Sequence, residues 1–288
     1  MSQQNNKSYL LIGHVTKDVL PNGEFMHGGT VTYGSVVAKK MGWKPIVVTA
    51  ASPNFSPLPF LADIDWHILP SADTTTFCNT YDTEGNRQQI IGPIARSIRP
   101  DDIPFAYLSA PIVHLCPLNE EVPTSMPSRF EESLVITTPQ GWMRQWDAQG
   151  RVSRKEWDDA DKLLPNVNAA VISIEDIEGN WSIAEQWAVL APVLIVTQGA
   201  EGCTIFSDGQ RQQVPPRPAQ PTDPTGAGDV FATAFAIRLE ESHDLWEAAR
   251  FANVTASMAI ERQGPEGAPD RTEVEDYLAE HPVKKTIC

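Results

Sequence analysis

Residues 223–231 read Asp-Pro-Thr-Gly-Ala-Gly-Asp-Val-Phe, a glycine-containing turn that leads directly into an apolar stretch. A helix that begins there places the N–H groups of Gly226, Ala227 and Gly228 at its positive end, where the glycines let a ligand approach the backbone. Such groups stabilise the charge of a transferring phosphoryl group, and Asp229 is placed to accept the proton of an attacking hydroxyl. The segment therefore predicts a phosphoryl-transfer site. The alternative is a helix start whose acidic residues only stabilise the helix dipole.

The rest of the chain alternates short apolar segments with helical patterns, which is typical of an α/β fold with a mostly parallel sheet flanked by helices. The predicted strands cover residues 9–15, 45–51, 112–115, 134–138, 169–174 and 193–197. The predicted helices cover residues 30–41, 156–164, 181–190, 227–241 and 245–262. A chain of 288 residues can bury one large core, so we predict a single domain over residues 1–288.

Two segments, residues 19–27 and 74–91, interrupt this alternation. Each has a turn-forming centre between β-branched and aromatic residues, Pro21-Asn22-Gly23 in the first and Thr83-Glu84-Gly85-Asn86 in the second. This pattern predicts two β-hairpins, which would form a small lid over one edge of the main sheet. The alternative is a pair of surface hairpins that take no part in the site.

Composition and charge exclude several functional classes. The net charge is −15 and Lys and Arg form no cluster, which argues against a broad nucleic-acid surface. The four cysteines form no Cys-x-x-Cys pair, so neither a zinc site nor a disulfide framework is indicated. Residues 1–8 lack the pattern of a signal peptide, and no apolar run approaches the length of a membrane span. We therefore predict a cytoplasmic protein that binds neither nucleic acid nor a membrane.

The 223–231 segment closely resembles the C-terminal signature of the ribokinase-like carbohydrate kinase family, also called PfkB, whose usual form begins Asp-Thr-x-Gly-Ala-Gly-Asp. Further segments resemble that family in the same order along the chain. They are Gly13-His-Val-Thr-Lys-Asp18, Gly28-Gly29, Thr197-Gln-Gly-Ala-Glu-Gly202 and Ala252-Asn253-Val-Thr-Ala. The resemblance implies a ribokinase-like fold that transfers phosphate from ATP, with Mg²⁺, to a hydroxyl group. A monovalent cation and a homodimer through the lid hairpins remain open.

The resemblance also implies roles for individual residues. For the substrate it implies Asp18, Gly28 and Gly29, and the hydroxyls of Thr30 and Thr32 are chemically suited to the same pocket. For the nucleotide the residues are Thr197, Gly199, Gly202, Asp223, Thr225 and Asn253. Each has a plainer explanation on its own: Asp18 as a turn residue, the glycines as ordinary turns, and Asn253 as a packing residue.

Three positions bear on how far the resemblance extends. Tyr33 stands where the family usually has Asn, four residues past the second glycine. The usual Asn-x-x-Glu element is replaced by Ser173-Ile-Glu-Asp176, in which Glu175 or Asp176 keeps a carboxylate for an outer-sphere role with magnesium. Arg144, between two tryptophans, is a candidate for binding a phosphate or substrate oxygen, or else a stacked structural residue.

Several details are most similar to the plant-type inositol kinase branch of the family. They are Gln213-Val-Pro-Pro216, Ile98-Arg-Pro-Asp-Asp-Ile-Pro104 and Thr74-Thr-Thr-Phe77. The resemblance implies a cyclic polyol substrate such as myo-inositol. A nucleoside kinase or another sugar kinase, and a catalytically silent binding or regulatory relative, remain as alternatives, because substrate choice depends on pocket residues that the sequence places only roughly.

Overall fold

The structure is a computed structural model that describes residues 7–19, 23–81 and 87–283. In chain order the strands and α-helices are β1 (Ser8–Ile12), β2 (Thr16–Val19), β3 (Phe25–Gly28), α1 (Thr30–Lys40), β4 (Lys44–Ala51), β5 (Asp65–Pro70), β6 (Thr76–Tyr81), β7 (Arg87–Ile91), β8 (Ile112–Leu115), β9 (Leu134–Thr137), β10 (Arg144–Trp146), β11 (Val152–Arg154), α2 (Ala160–Leu163), β12 (Ala169–Ser173), α3 (Trp181–Leu190), β13 (Val193–Thr197), β14 (Cys203–Ser207), β15 (Gln210–Val214), α4 (Ala227–Ser242), α5 (Leu245–Ala259) and α6 (Arg271–Glu280).

Nine of the described strands form one large sheet, in the order β15-β14-β13-β12-β9-β8-β1-β4-β5. All neighbours from β13 to β5 run parallel, whereas β14 and β15 add an antiparallel edge. Every residue of the central strand β1 is buried, as expected for a strand that is covered on both faces of the sheet. The mostly parallel sheet predicted from the sequence is confirmed.

Successive residues of β1 point to opposite faces of this sheet, and each face has its own core. Tyr9 and Leu11 belong to the core that includes α1, α4 and α5, whereas Leu10 and Ile12 belong to the core that includes α2 and α3. A Cβ built on Gly34 of α1 would lie 2.8 Å from the hydroxyl oxygen of Thr233 in α4. The missing side chain therefore lets α1 and α4 pack closely, and this brings their N-termini together.

A second sheet of four described strands, in the order β3-β2-β6-β7, forms what we call the lid. In it β2 pairs with β3 and β6 pairs with β7, both antiparallel, and β2 joins the two pairs by running parallel to β6. The predicted turn centres at residues 21–22 and 83–86 lie outside the described residues. A hydrogen bond of 2.8 Å from Ile91 N to Gly150 O connects β7 to the loop between β10 and β11, so the lid is also attached to the main body there.

Two features differ from the sequence prediction. The helix predicted over residues 156–164 is wrong in extent: only Ala160–Leu163 is α-helical, and a 3₁₀ turn over Leu164–Asn166 follows because Pro165 has no N–H to continue the helix. Strands β5, β10, β11, β14 and β15 and helix α6 were not predicted, since most of them are rich in polar residues. In the described part of the chain, no helix combines the length and apolar character that crossing a bilayer requires.

Candidate active site

Three loops approach one another closely at the carboxyl end of β1, where ligands bind in open parallel sheets. A Cβ on Gly13, which follows β1, would lie 2.2 Å from the carbonyl oxygen of Cys116, which follows β8. A Cβ on Gly29, before α1, would lie 2.8 Å from the carbonyl oxygen of His14. Side chains at these glycines would push the loops apart, so the close approach depends on their absence.

The first turn of α4 lies beside these loops and begins without a side-chain cap. Its N-cap residue Gly226 has a φ of 75°, a conformation that favours glycine, and makes no side-chain hydrogen bond to the helix. A Cβ on Gly226 would lie 2.3 Å from Cδ1 of Tyr33, whereas a Cβ on Gly228 would have nothing within 4 Å. Because the N–H groups of a first turn have no acceptor within the helix, this end of α4 can bind an anion.

Asp229 lies in the first turn of α4 and faces the start of α1. Its Oδ1 accepts a hydrogen bond of 2.7 Å from the Thr30 hydroxyl, across 199 residues of sequence. Burial raises the pKa of the Asp229 carboxyl to about 6, against the lowering effects of the Thr30 hydrogen bond and the Arg144 charge, while Asp176 raises it further. A carboxyl that titrates near neutral pH is suited to act as a general base. The structure thus brings the predicted residues Thr30 and Asp229 into contact.

Asp18 lies on the lid side of the same site. A Cβ on Gly28 would lie 2.1 Å from Asp18 Oδ2, and Asp18 Oδ1 accepts a hydrogen bond of 2.9 Å from the Thr16 hydroxyl. Thr32 is placed differently from the prediction: it is fully buried, and its hydroxyl donates to Gly28 O at 2.7 Å. Thr32 therefore holds the turn at the start of α1 in place, behind the surface that a substrate would contact.

Arg144 is linked to Asp176 through a residue that the sequence analysis did not select, Gln140. The Arg144 guanidinium lies 5.7 Å from the centre of the Phe77 ring in the lid, and its Nη2 donates to Gln140 Oε1 at 2.6 Å. Gln140 Nε2 donates to Asp176 Oδ1 at 3.0 Å, and Ser173 N donates to Asp176 Oδ2 at 2.9 Å. This chain of hydrogen bonds fixes a cation and a carboxylate that both influence Asp229.

A cavity of about 210 Å³ lies beside this chain, and its walls include Arg144, Arg154, Glu175, Asp176 and Glu178. Among the described residues, no three acidic, His or Cys side chains are grouped so as to hold a metal ion by themselves. Mg²⁺ commonly binds through one or two carboxylates together with waters and phosphate oxygens. Because both Asp176 oxygens already accept hydrogen bonds, Glu175 and Asp176 fit contact with metal-bound water better than a complete protein cage.

The loop predicted to face the nucleotide joins β13 to β14. Gly199 and Gly202 have φ values of 55° and 82°, and a Cβ on Gly202 would lie 2.3 Å from Val214 O at the end of β15. The Thr197 hydroxyl donates to Ile172 O at 3.2 Å, which links the ends of β13 and β12. The two glycines therefore make a turn that only glycine adopts easily, at the same end of the sheet as Asp176.

The remaining residues predicted for the nucleotide mainly hold backbone segments together. Asp223 accepts hydrogen bonds from Thr225 N at 3.0 Å and from Gly264 N at 3.1 Å, which fixes the 223–226 turn to the segment after α5. Asn253 is 8% exposed, and its Nδ2 donates to the carbonyl oxygens of Val214 and Pro215, each at 3.2 Å. The structure therefore gives Asn253 a role in anchoring the end of β15, and its place beside a nucleotide base stays a prediction.

Glu121 is another residue that the sequence analysis missed. It is 2% exposed, and its carboxylate accepts hydrogen bonds from the backbone N–H groups of His14, Leu118 and Asn119 at 2.9 to 3.1 Å. Glu121 thus joins the loop after β1 to the loop after β8. The sequence offered no clear signal, because Glu121 follows the end of β8 by six residues and a Glu in such a loop is usually exposed.

Residues 148–271 match the sequence model of the pfkB family carbohydrate kinases. Ribokinase of Bacillus subtilis is 37% identical over 123 residues, which are 42% of this chain and 41% of that enzyme. Inositol 3-kinase of Zea mays is 33% identical over 134 residues, which are 45% of this chain and 34% of that enzyme. The aligned segments thus span less than half the length of these two relatives.

Solved structures match over nearly the whole chain. A pyrophosphate-dependent kinase of the ribokinase family, in complex with a pyrophosphate analogue and myo-inositol, has a TM-score of 0.78 at 23% identity and covers 93% of this chain and 99% of its own. Fructokinase with bound ATP from Xylella fastidiosa has a TM-score of 0.75 at 18% identity and covers 96% of this chain and 99% of its own. The fold and family resemblance predicted from the sequence are confirmed: residues 148–271 carry a pfkB-family carbohydrate kinase sequence, on the fold of ribokinase-family kinases.

Proposed function

We propose that this protein is an ATP-dependent kinase that transfers the terminal phosphoryl group to a hydroxyl of a small polyol or sugar, with myo-inositol as the first candidate. One observation carries the proposal: Asp229, with a pKa raised to about 6, lies at the uncapped N-terminus of α4 and 2.7 Å from the Thr30 hydroxyl. A base and an anion-binding helix end thus share one turn, as in-line phosphoryl transfer requires.

In the proposed mechanism, Asp18 accepts hydrogen bonds from substrate hydroxyls and Asp229 accepts the proton of the attacking hydroxyl. The N–H groups of Gly226 and Gly228 stabilise the charge that develops on the phosphoryl oxygens, whereas the predicted N–H of Ala227 already donates to Pro224 O at 3.2 Å. The lid and the Phe77–Arg144 contact lie over the substrate side and limit access of water, which competes as an acceptor. Each residue in this scheme performs a step for which its chemistry is suited.

The residues of the site can also accommodate magnesium and the nucleotide. Mg²⁺ would neutralise charge on the donor phosphates, and Glu175 or Asp176 would hold its coordinated water. The turn from Thr197 to Gly202 and the residues Asp223 and Thr225 lie on the side proposed for the nucleotide. The uncapped α4 terminus fits the phosphates of any such donor.

The choice of a neutral polyol follows from the charges around Asp229. Asp18, Asp176 and Asp229 supply carboxylates, and Arg144 is the cation that influences Asp229. A phosphorylated sugar would need more Lys or Arg than this arrangement offers, whereas a polyol needs hydrogen-bond acceptors. The inositol 3-kinase relative and the structure that contains myo-inositol add support for this substrate class.

Pyrophosphate is a second candidate donor. The ribokinase-family structure that contains myo-inositol is described as pyrophosphate-dependent, so this fold also accommodates that donor. A donor without a nucleoside would use the α4 terminus and would not need contacts near Asn253. The two donors therefore predict different effects of substitutions in the turn at residues 197–202.

The test is phosphoryl transfer by the purified protein to myo-inositol, other polyols, sugars and nucleosides, with either Mg-ATP or Mg-pyrophosphate as donor. Assays with KCl and with NaCl would show whether a monovalent cation matters. Transfer to myo-inositol that is lost in Asp229→Asn supports the proposal. Transfer to a nucleoside or another sugar alone would replace the substrate, and binding without transfer by any acceptor would indicate a catalytically silent relative.

A further inference from the structure

Tyr33 lies on the side of α1 that faces the α4 terminus. It is three residues after Thr30, so the two side chains share one face of the helix. Thr30 contacts Asp229 at 2.7 Å, and three ring carbons of Tyr33 lie 2.3 to 2.6 Å from the position that a Cβ on Gly226 would take. The ring thus covers the N-cap of α4 from the substrate side, with the residue 6% exposed.

The hydroxyl of Tyr33 is placed differently from the other polar groups of the site. Among the described residues it has no hydrogen-bond partner, whereas the hydroxyls of Thr16, Thr30 and Thr32 each donate to an acceptor. The hydroxyl oxygen itself is not fully buried, although the residue as a whole is 6% exposed, so a ligand at the α4 terminus can reach it.

The surroundings of Tyr33 keep this group protonated. Burial raises its pKa well above the usual range, and the negative charges of Asp223, Asp229 and Asp18 raise it further. A phosphoryl donor that enters among these carboxylates meets negative charge, so a neutral O–H aimed at it is a favourable partner.

We propose that Tyr33 donates a hydrogen bond from its phenol to a non-bridging oxygen of the donor's terminal phosphate, at the uncapped start of α4. The inference rests on the proposed kinase function and adds a donor-binding residue to it. Tyr33 supplies this hydrogen bond from a side chain, next to the backbone N–H groups of Gly226 and Gly228. Its ring also fills the space above Gly226, which keeps the α4 terminus in the conformation that presents those N–H groups.

The test is Tyr33→Phe, which keeps the ring against Gly226 and removes only the hydroxyl. A hydrogen bond to a charged oxygen predicts that kcat/KM for the phosphoryl donor falls about 10- to 100-fold, while KM for the acceptor and the melting temperature stay as in the wild type. Sulfur is a weak acceptor, so the loss should shrink with ATPγS when ATP is the donor. Tyr107→Phe, whose hydroxyl contacts Asp65 at 3.5 Å far along the chain from these helices, is the matched control and should change neither parameter.

A loss below twofold in Tyr33→Phe, or an equal loss for ATP and ATPγS, would overturn the inference. Binding measured by calorimetry separates this outcome from failure of the kinase proposal. If the wild type turns over no acceptor, about tenfold weaker binding of Mg-ATP or Mg-pyrophosphate by Tyr33→Phe would still support the phosphate contact. Equal binding of both probes by the two proteins, or binding of neither, would refute it.

Discussion

The successive helices α4 and α5 pack against each other, yet their N-termini are built in opposite ways. At the start of α5, the Asp244 carboxylate accepts hydrogen bonds from Trp246 N at 2.9 Å and Glu247 N at 3.0 Å. At the start of α4, Gly226 supplies no side-chain acceptor. Replacing a capping side chain by glycine costs only a few tenths of a kcal/mol, so α4 gives up little stability and leaves first-turn N–H groups without the side-chain acceptor that α5 has.

The same contrast extends to the other helices. At α1 the N-cap is Gly29, without a side-chain cap, and this helix meets α4 at the site. By contrast, Asn180 caps α3 by accepting from Ser182 N, and Asp270 forms a capping box with Glu273 at α6. The two glycine-capped helices converge on Asp229, and the helices with side-chain caps begin elsewhere. The short helix α2 also begins without a side-chain cap, so the feature that marks the site is the meeting of two glycine-capped helix starts at Asp229.

The largest effect is expected for substitution of Asp229, in the first turn of the uncapped helix α4. Asp229→Asn should lower kcat by about 10³- to 10⁴-fold, because it removes the general base and keeps the shape of the side chain. The melting temperature should stay the same or rise, since the raised pKa means that ionising Asp229 destabilises the fold as the pH rises from 3.8 to about 6, and this loss is complete at pH 7.5. Steady-state kinetics and thermal unfolding at pH 7.5 measure both. Activity within tenfold of the wild type would remove Asp229 from the mechanism.

The second-largest effect distinguishes the role of the α4 terminus in stability from its role in binding the phosphoryl group. Gly228→Ala adds a Cβ where the protein has no atom within 4 Å, so the melting temperature should not fall. If a phosphoryl group occupies that space, kcat/KM should drop about 10²-fold, as for loss of an anion-stabilising contact.

Gly226→Ala is the comparison variant for this experiment. Its Cβ would collide with Tyr33 in a backbone conformation that alanine adopts poorly, so both stability and activity should fall. Full activity of Gly228→Ala would show that the phosphoryl group lies elsewhere, and the contrast with α5 would then lose its functional meaning.

A smaller effect concerns pH. Activity should fall as the pH drops through about 6, because Asp229 must be ionised to accept a proton. The Thr30 hydrogen bond and the Arg144 charge both lower this pKa, so Thr30→Val and Arg144→Gln should each move the acid limb of the kcat/KM profile to higher pH. Arg144→Lys keeps the charge and serves as the control. A limb that stays in place in both variants would assign the titration to another group.

The smallest effect is expected at the capped end. Asp244→Ala should destabilise the protein by about 1 kcal/mol and lower the melting temperature by about 2 to 4 °C. Its kcat should match the wild type, since the α5 terminus binds no ligand in the proposed mechanism. Thermal unfolding and kinetics on one preparation make the comparison. A strong loss of activity would mean that the two helix starts are not functionally distinct.

The parallel core of the fold was predictable because each central strand is a short apolar run with no polar alternation. Strand β15 reads Gln-Arg-Gln-Gln-Val and is held by pairing with β14, so no local pattern marks it. The helix predicted over residues 156–164 was too long mainly at its start, because residues 156–159 form a loop and turn although they continue the apolar period. Local patterns therefore gave the central parallel strands, and missed the antiparallel edge, both the polar β15 and the largely buried β14.

Some features of the candidate site could likewise be predicted from the sequence, whereas others could not. The positions of Asp229 and Gly226 follow from their place in one helix turn, and the sequence showed them directly. The contacts of Thr30 with Asp229 and of Gln140 with Asp176 depend on packing between segments that are 199 and 36 residues apart, whereas Gln140 and Arg144 are only four residues apart. For Thr32 the residue type suited a substrate contact, yet helical geometry turns its hydroxyl back to Gly28 O.

The contact between Thr30 and Asp229 also has a consequence for protein synthesis. The 199 residues between them take a ribosome about 10 to 40 s to add, and β1 cannot gain its neighbour β8 until about a hundred residues after it have been made. A nascent chain that already holds α1 thus exposes one half of the site for many seconds. The proposed phosphoryl-transfer centre is completed only when the late helices dock, so we expect catalytic activity to report that the whole core has assembled.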